Sequence, residues 1–256
     1  MSKAKHRLVI IHSFPTNSIL LKGLYDFLSD FFEVHPIDLP GFRKDIKPLE
    51  KITLENYIHY VENEIEKLKL EDYWIGGISF GFTIANLVRN SNRCKGVIAI
   101  TPYLGSKFLN IPLLIRFVYV ALIYLLQILN LFYKVWHSSF VQKSLLFIYN
   151  VEIGKKIKII FEEVDARTFF ETLKILLLDK QDRCIFINRP YILILNKDDK
   201  SVASEKILRK FEKGTDNLLV VYTTAEHSPD IISKEYFKKN VKQEDVTRML
   251  DFVNRF

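Results

Sequence analysis

Short apolar runs alternate with amphipathic segments along most of the chain. Six runs rich in apolar residues predict buried β-strands, at 8–12, 34–39, 73–78, 96–101, 191–195 and 218–222. Apolar residues at helical spacing predict helices at 18–31, from an N-cap at Thr53 to about residue 70, directly after Ser79, at 204–211 and at 244–256. Strands that alternate with helices are typical of a mostly parallel sheet covered on both faces. The pattern therefore predicts a doubly wound α/β fold.

This alternation stops after the fourth predicted strand. Only helical periodicity is visible from 104 to 186, and 117–133 is an apolar block whose strongly polar members are Gln127 and Asn130. The strand rhythm resumes at 191. We therefore predict a core formed by 1–103 and 187–256, with 104–186 inserted as a helical cap or lid.

Composition narrows the class of protein. The chain has 256 residues, of which 48% are hydrophobic and 26% charged, enough apolar material for a full core. Disordered, fibrous and disulfide-stapled classes are therefore excluded. The net charge is +7, but the 37 basic and 30 acidic residues are scattered. This distribution predicts a solvated surface and no nucleic-acid partner.

The two cysteines and the N-terminal sequence indicate the cellular compartment in which the protein is expected. Cys94 and Cys184 lack metal-binding spacing, which predicts small buried side chains in a reducing environment. The apolar run before His12 is too short for an export signal, so we expect a cytoplasmic protein. The sequence has no phosphate-binding glycine loop, His-Glu-x-x-His or Cys-x-x-Cys motif, and we predict no metal and no cofactor.

One sequence motif predicts a catalytic residue. Gly77-Ile78-Ser79-Phe80-Gly81 has the form Gly-x-Ser-x-Gly and lies between a predicted strand and a predicted helix. A serine in such a tight turn is lifted above the sheet edge, and the two glycines let strand and helix approach closely. The context predicts that Ser79 is a nucleophile.

A serine nucleophile needs a base, which in turn needs an acid to orient it. Among the six histidines, His12 and His227 follow predicted strands, and His227 comes after the last strand, where a base is expected. The acid should follow the strand at 191–195, where Asp198 and Asp199 are adjacent. Asp199 has the better offset from the strand end, and Asp198 is the alternative.

These residues resemble the α/β-hydrolase superfamily over nearly the whole chain, since Ser79, Asp199 and His227 follow that family's order. The His-Ser-Phe-Pro sequence at 12–15 resembles the family's loop after the first core strand. The resemblance implies that the backbone N–H groups of Phe14 and Phe80 form the oxyanion hole. The sequence at 38–42 also resembles a turn common in this family, and 187–190 resembles the family's segment that leads into the acid-bearing strand.

Three residues depart from the family pattern. Ser13, Asn196 and Glu226 stand where glycine is common. None belongs to the triad, but together they leave the subfamily open.

The resemblance implies a serine hydrolase of the carboxylesterase, lipase or lactonase type, with a small-molecule ester or lipid-like substrate. A peptidase or acyltransferase on the same triad is a second interpretation. A ligand-binding protein that keeps the fold without turnover is a third. A serine nucleophile disfavours relatives that use aspartate for dehalogenation or epoxide opening.

The apolar block at 117–133 allows three interpretations. As one helix it would span roughly 25 Å, which is slightly short of a ~30 Å hydrocarbon core. It could be a transmembrane anchor, a cap helix packed over the site, or a cap that docks peripherally on lipid. We expect it to line the substrate entrance, because the resemblance places the cap there.

Overall fold

The computed structural model describes residues 5–88, 92–139, 155–179, 189–225, 227 and 233–256. The strands are β1 (His6–Ile11), β2 (Phe32–Ile37), β3 (Tyr73–Ile78), β4 (Cys94–Ile100), β5 (Tyr191–Leu195) and β6 (Leu218–Tyr222). The helices are α1 (Lys22–Leu28), α2 (Leu54–Leu68), α3 (Phe80–Val88), α4 (Leu113–Ile128), α5 (Phe132–Trp136), α6 (Lys155–Glu163), α7 (Ala166–Leu178), α8 (Ser204–Glu212), α9 (Lys234–Asn240) and α10 (Gln243–Val253). A short 3-10 helix spans Ser106–Phe108.

The described strands form one parallel sheet in the order β2-β1-β3-β4-β5-β6. The order reverses between β1 and β3, which pair with Ile11 opposite Gly77. In open parallel sheets the carboxyl ends at such a switch point border the ligand crevice. The predicted parallel α/β architecture is confirmed.

Alternate residues of the strands contribute their side chains to two hydrophobic cores, one on each face of the sheet. Val9 and Ile11 pack with α2, α3, α8 and the cap helices, whereas Leu8 and Ile10 pack with α1, α9 and α10. This explains why β1 reads as a continuous apolar run: both of its faces are covered. The strands that present the carboxyl edge are therefore packed on both faces.

Local signals account for both ends of α2. The Thr53 side chain accepts a hydrogen bond from the N–H of Asn56 at 3.2 Å, as expected of an N-cap, and α2 ends at Lys69 in the left-handed conformation. The start predicted for the first helix is wrong, because α1 begins at Lys22. Ser18 is held instead by Asp38, which accepts from its N–H at 2.6 Å and its hydroxyl at 2.5 Å.

The apolar block does not form the single helix predicted for 117–133. α4 ends at Ile128, Asn130 has φ 51°, and α5 starts at Phe132. Asparagine tolerates the left-handed region better than other non-glycine residues, so it allows the chain to turn here. Within the described residues, no helix is both long and apolar enough to cross a membrane.

Between β4 and β5 the described residues contain the 3-10 helix and α4–α7. The predicted domain boundaries at 103/104 and 186/187 remain predictions, and residues 180–188 lie outside the described part. α9, which Ser233 caps by accepting from the N–H of Tyr236, was not predicted.

Candidate active site

Ser79 lies in the turn between β3 and α3. Its φ of 49° is in the left-handed region, which is uncommon for a residue with a Cβ. Its N–H donates to the carbonyl of Ile100 at 2.9 Å, and its carbonyl accepts from the N–H groups of Phe82 and Tyr103. These bonds hold the strained turn in place and leave the side chain at the carboxyl edge of the sheet.

The two motif glycines permit this turn sterically. A Cβ on Gly77 would lie 2.3 Å from the backbone of Phe82, and one on Gly81 would lie 2.4 Å from the carbonyl oxygens of Ile11 and His12. Backbone atoms cannot move aside as a side-chain tip can. Glycine at these positions is therefore required by the close approach of α3 to β3 and β1.

The structure brings Ser79, His227 and Asp199 into one hydrogen-bonded line. His227 Nε2 lies 3.1 Å from Ser79 Oγ, and His227 Nδ1 lies 2.8 Å from Asp199 Oδ2. Because Asp199 is an acceptor, Nδ1 carries the proton and Nε2 is free to accept from the serine hydroxyl. Glu226, the neighbour of His227, lies outside the described residues.

The Asp199 carboxylate is held from both sides. Its Oδ1 accepts from the N–H groups of Ser201 at 2.7 Å and Val202 at 3.1 Å. Burial opposes ionisation, but the hydrogen bond and charge of His227, with the two N–H groups, lower the pKa of Asp199 overall. Asp198, the alternative acid, is exposed. The geometry thus favours Asp199 as the partner of His227.

Asn196 is a site residue that the sequence analysis treated only as a departure from glycine. Its buried side chain donates from Nδ2 to the carbonyl of Ala225 at 3.1 Å and accepts at Oδ1 from the N–H of Asp198 at 2.8 Å. It therefore ties the loop that carries the acid to the loop that carries the histidine. The sequence signal that could have identified Asn196 as a site residue is its position as a polar residue directly after a buried strand.

His12 holds the loop that carries Phe14. It is buried, donates from Nδ1 to the carbonyl of Ser13 at 2.9 Å, and accepts at Nε2 from the N–H of Leu39 at 2.9 Å. Burial lowers the pKa of His12, against the opposing influence of Asp38 and the Ser13 carbonyl. The neutral tautomer that makes both bonds is therefore the stable one.

Ser13 fits this loop where the family commonly has glycine. Its φ is not positive, and its hydroxyl hydrogen-bonds the hydroxyl of Thr16 at 2.9 Å. The two predicted oxyanion residues flank Ser79: Phe14 lines the same cavity, and Phe80 is the first residue of α3. The first N–H groups of a helix have no partner within the helix, so that of Phe80 is suited to bind an anion.

A cavity of about 940 Å³ opens beside Ser79 and His227. Its apolar and aromatic lining consists of Phe14, Tyr103, Leu109, Ile111, Leu173, Leu176 and Leu177. Its polar lining includes residues 196–201 together with Lys242, Glu244, Asp245 and Arg248. The cavity can therefore receive a molecule with an apolar portion and a polar end.

α7 lines the cavity through Leu173, Leu176 and Leu177, although the sequence resemblance predicts this role for 117–133. None of the described residues in 117–133 lines the cavity, so that expectation is wrong. The physical reason is that α7 is tied to the core. The Tyr57 hydroxyl bonds the hydroxyl of Thr172 at 2.9 Å, and the Tyr103 hydroxyl donates to the carbonyl of Leu176 at 2.6 Å.

The predicted turn at 38–42 anchors the start of α7. Gly41 has φ 79°, and its carbonyl accepts from the N–H of Asp165 at 2.8 Å. A Cβ on Gly41 would lie within 3 Å of the Thr168 side chain. Phe14 and Phe169 also pack together, with ring centroids 4.9 Å apart. Phe14 also packs on Phe42 of the turn, with ring centroids 6.1 Å apart, so the turn links the Phe14 loop to α7. Residues 187 and 188 of the other family-like segment lie outside the described part.

No metal-binding cluster of three or more His, Cys, Asp or Glu side chains is present among the residues that the structure describes. Cys94 is buried, as predicted, and Cys184 lies outside the described residues.

Comparison with known proteins places the fold. No family model and no curated protein sequence matches the chain. Solved structures match it over nearly its whole length. A hydrolase from Pseudomonas aeruginosa superposes with a TM-score of 0.69 at 14% identity, covering 97% of this chain and 90% of that one. A thermophilic esterase from Thermogutta terrifontis gives 0.66 at 15% identity, with 98% and 90% covered.

An epoxide hydrolase from Bacillus megaterium is similar to the same extent, with a TM-score of 0.65 at 16% identity and coverage of 99% and 95%. These neighbours are thus hydrolases that differ in activity. At these identities the likeness establishes the fold alone. The chain has the α/β-hydrolase fold, as the sequence resemblance predicted.

Proposed function

We propose that this protein is a serine hydrolase that cleaves carboxylic esters with an apolar acyl group. The observation that carries the proposal is the line from Ser79 Oγ through the His227 ring to the buried Asp199 carboxylate, with distances of 3.1 and 2.8 Å. A histidine accepts a proton most readily when an anion holds its other nitrogen. In this line Ser79 is the proposed nucleophile, His227 its base and Asp199 the acid that orients the base.

In the proposed reaction, Ser79 Oγ attacks the ester carbonyl while His227 Nε2 takes the hydroxyl proton. The carbonyl electrons move onto its oxygen, where the N–H groups of Phe14 and Phe80 stabilise the charge. The tetrahedral intermediate collapses, the alkoxide leaves with the proton from His227, and an acyl-serine remains. Water then repeats the sequence, with His227 as base, and releases the acid and free Ser79.

The chemistry of serine favours an acyl substrate over an epoxide. Opening of an epoxide by Ser79 would leave a serine alkyl ether, which has no carbonyl for water to attack and would block the enzyme. An acyl-serine can be hydrolysed by the same base. The apolar residues that line the cavity, among them Leu173, Leu176 and Leu177 of α7, support an aliphatic acyl chain.

The test is turnover of p-nitrophenyl esters from acetyl to dodecanoyl by the parent and by Ser79→Ala. We expect a maximum at medium chain length and a loss of about 10⁴-fold or more in the variant. Ser29→Ala, at an exposed position outside the site, is the matched control and should keep parental activity. Turnover that survives in Ser79→Ala would refute the proposal.

The alternatives are tested by adding substrates to the same assay. A peptidase would also release p-nitroaniline from peptidyl p-nitroanilides, which an esterase would leave uncleaved. An acyltransferase would transfer the acyl group to an added amine or alcohol faster than to water. A ligand-binding protein would bind an ester without releasing p-nitrophenol.

A further inference from the structure

The outward side of α4 is an exposed apolar surface. Leu114 is 76% exposed, Phe117 56% and Ile128 80%. We call this surface the outer face; it consists of Leu113, Leu114, Ile115, Phe117, Val118, Leu122, Tyr124, Leu125 and Ile128. α4 carries no acidic residue, and Arg116 is its only charged one.

The outer face is too large to be incidental. Only Val120, Ile123 and Leu126 of α4 are buried, so a narrow stripe contacts the protein and the rest of the helix faces outward. Nine large side chains, each exposed by roughly a half, leave on the order of 1,000 Å² of apolar surface, against the ~300–600 Å² of the largest patch on a typical monomer. Such a surface marks an interaction site.

The charged residues within and beside this helix in the sequence are basic. The sequence contains no Asp or Glu from 73 to 151. Arg116 lies within the helix, Lys107 and Lys134 are the nearest basic residues before and after it in the sequence, and both lysines are exposed. On the adjoining α7, Glu171 is paired with Lys174 at 2.5 Å. Asp165 accepts from the Tyr133 hydroxyl at 2.8 Å.

From these observations we propose that the outer face of α4 docks on the surface of an anionic lipid bilayer. The helix would lie in the plane of the interface, with Phe117, Ile128 and their neighbours in the acyl boundary. Lys107 and Lys134 would lie near the lipid phosphates. A wide, convex apolar arc flanked by basic residues is the pattern of helices that bind this way.

The charge pattern favours lipid over a second copy of the chain. A two-fold dimer would place the same surface on both sides. The basic residues of one copy would then face those of the other, and the segment 73–151 contributes no acidic side chain to such an interface. Like charges across an interface disfavour association, whereas anionic headgroups complement the same residues.

The test is co-sedimentation with vesicles of phosphatidylcholine alone or with phosphatidylglycerol. It stands apart from the proposed ester hydrolysis, because binding is measured without turnover. We expect the parent to bind anionic vesicles more than neutral ones at low salt, and less as salt approaches about 0.5 M. Lys107→Gln with Lys134→Gln should abolish the preference for anionic lipid.

The decisive variant is Leu114→Asp with Ile128→Asp, which should lower binding to anionic vesicles at least tenfold. The matched control is Leu68→Asp with Phe256→Asp, which adds the same charge at two exposed apolar positions elsewhere. Leu114→Gln with Ile128→Gln repeats the test without added charge, and the thermal midpoint of each variant confirms folding. Equal binding of decisive and control variants, or no binding by the parent, would overturn the proposal. So would a parental dimer that Leu114→Asp with Ile128→Asp dissociates.

Discussion

Replacing Asp199 by Asn probes the contact on which the proposed chemistry depends. The amide oxygen can still accept from the N–H groups of Ser201 and Val202, as Oδ1 does now. The amide nitrogen would then face His227 Nδ1 and cannot accept its proton. The substitution therefore keeps the loop and removes only the acceptor for the histidine, so we expect the variant to fold.

The expected loss of turnover follows from the geometry. The side chain of Asp199 is fully buried, and His227 becomes cationic when Ser79 attacks. Two unit charges about 4 Å apart interact by ~4 kcal/mol at an effective dielectric constant near 20. At about 1.4 kcal/mol per tenfold, this is roughly 10³-fold in rate, and the wrong histidine tautomer brings the expected loss to about 10³–10⁴-fold.

The assay is the kcat for the best ester of the chain-length panel at pH 8. Asp198→Asn is the matched control, because Asp198 is exposed and differs from Asp199 by one position. It should change kcat by less than about threefold, consistent with a screened surface charge. A mild effect of Asp199→Asn together with a severe effect of Asp198→Asn would refute the assignment.

The remaining predictions concern the scaffold of the site. Gly77→Ala should lower the unfolding free energy by more than ~2 kcal/mol, because its Cβ would lie 2.3 Å from backbone atoms. Gly76→Ala, whose Cβ would lie 3.3 Å from the tip of a side chain, should cause a smaller loss. Urea unfolding measures both variants, and equal losses would contradict the prediction. Asn196→Asp should lower kcat about tenfold with little change in KM, because the carboxylate cannot donate to the carbonyl of Ala225; a change in KM alone would contradict a positioning role. Because the pKa of His12 is lower in the folded protein than in the unfolded chain, the unfolded chain takes up a proton at a higher pH than the folded protein. The unfolding free energy should therefore fall as the pH drops below about 6.5. His12→Gln should flatten that part of the thermal-midpoint profile, and an unchanged profile would count against a buried neutral His12.

Much of the fold could be predicted because parallel strands buried on both faces are visible as apolar runs. The runs at Tyr73–Ile78, Tyr191–Leu195 and Leu218–Tyr222 match the observed strands. The residues that meet at the site were predictable for the same reason. Ser79, Asp199 and His227 each follow a strand, and the carboxyl ends of parallel strands lie on one edge of the sheet.

The cap could not be predicted to the same degree because its arrangement depends on tertiary contacts. The apolar content of 117–133 does not reveal that Asn130 turns the chain or that most of α4 faces outward. The covering role of α7 depends on Tyr57 and Tyr103, which are distant in sequence from their partners on that helix. Asn196 was recognised only as a substitution, since its partner at Ala225 is likewise remote.

The most direct test of the central claim is covalent labelling of Ser79. A fluorophosphonate reacts with a serine hydroxyl only where a base takes its proton and donors stabilise the developing oxyanion. The parent protein should give one phosphonate adduct, located by peptide mass spectrometry on Ser79, and Ser79→Ala should give none. Asp199→Asn should react more slowly by about the factor found for kcat. An unlabelled parent, or an adduct that persists in Ser79→Ala, would contradict the account.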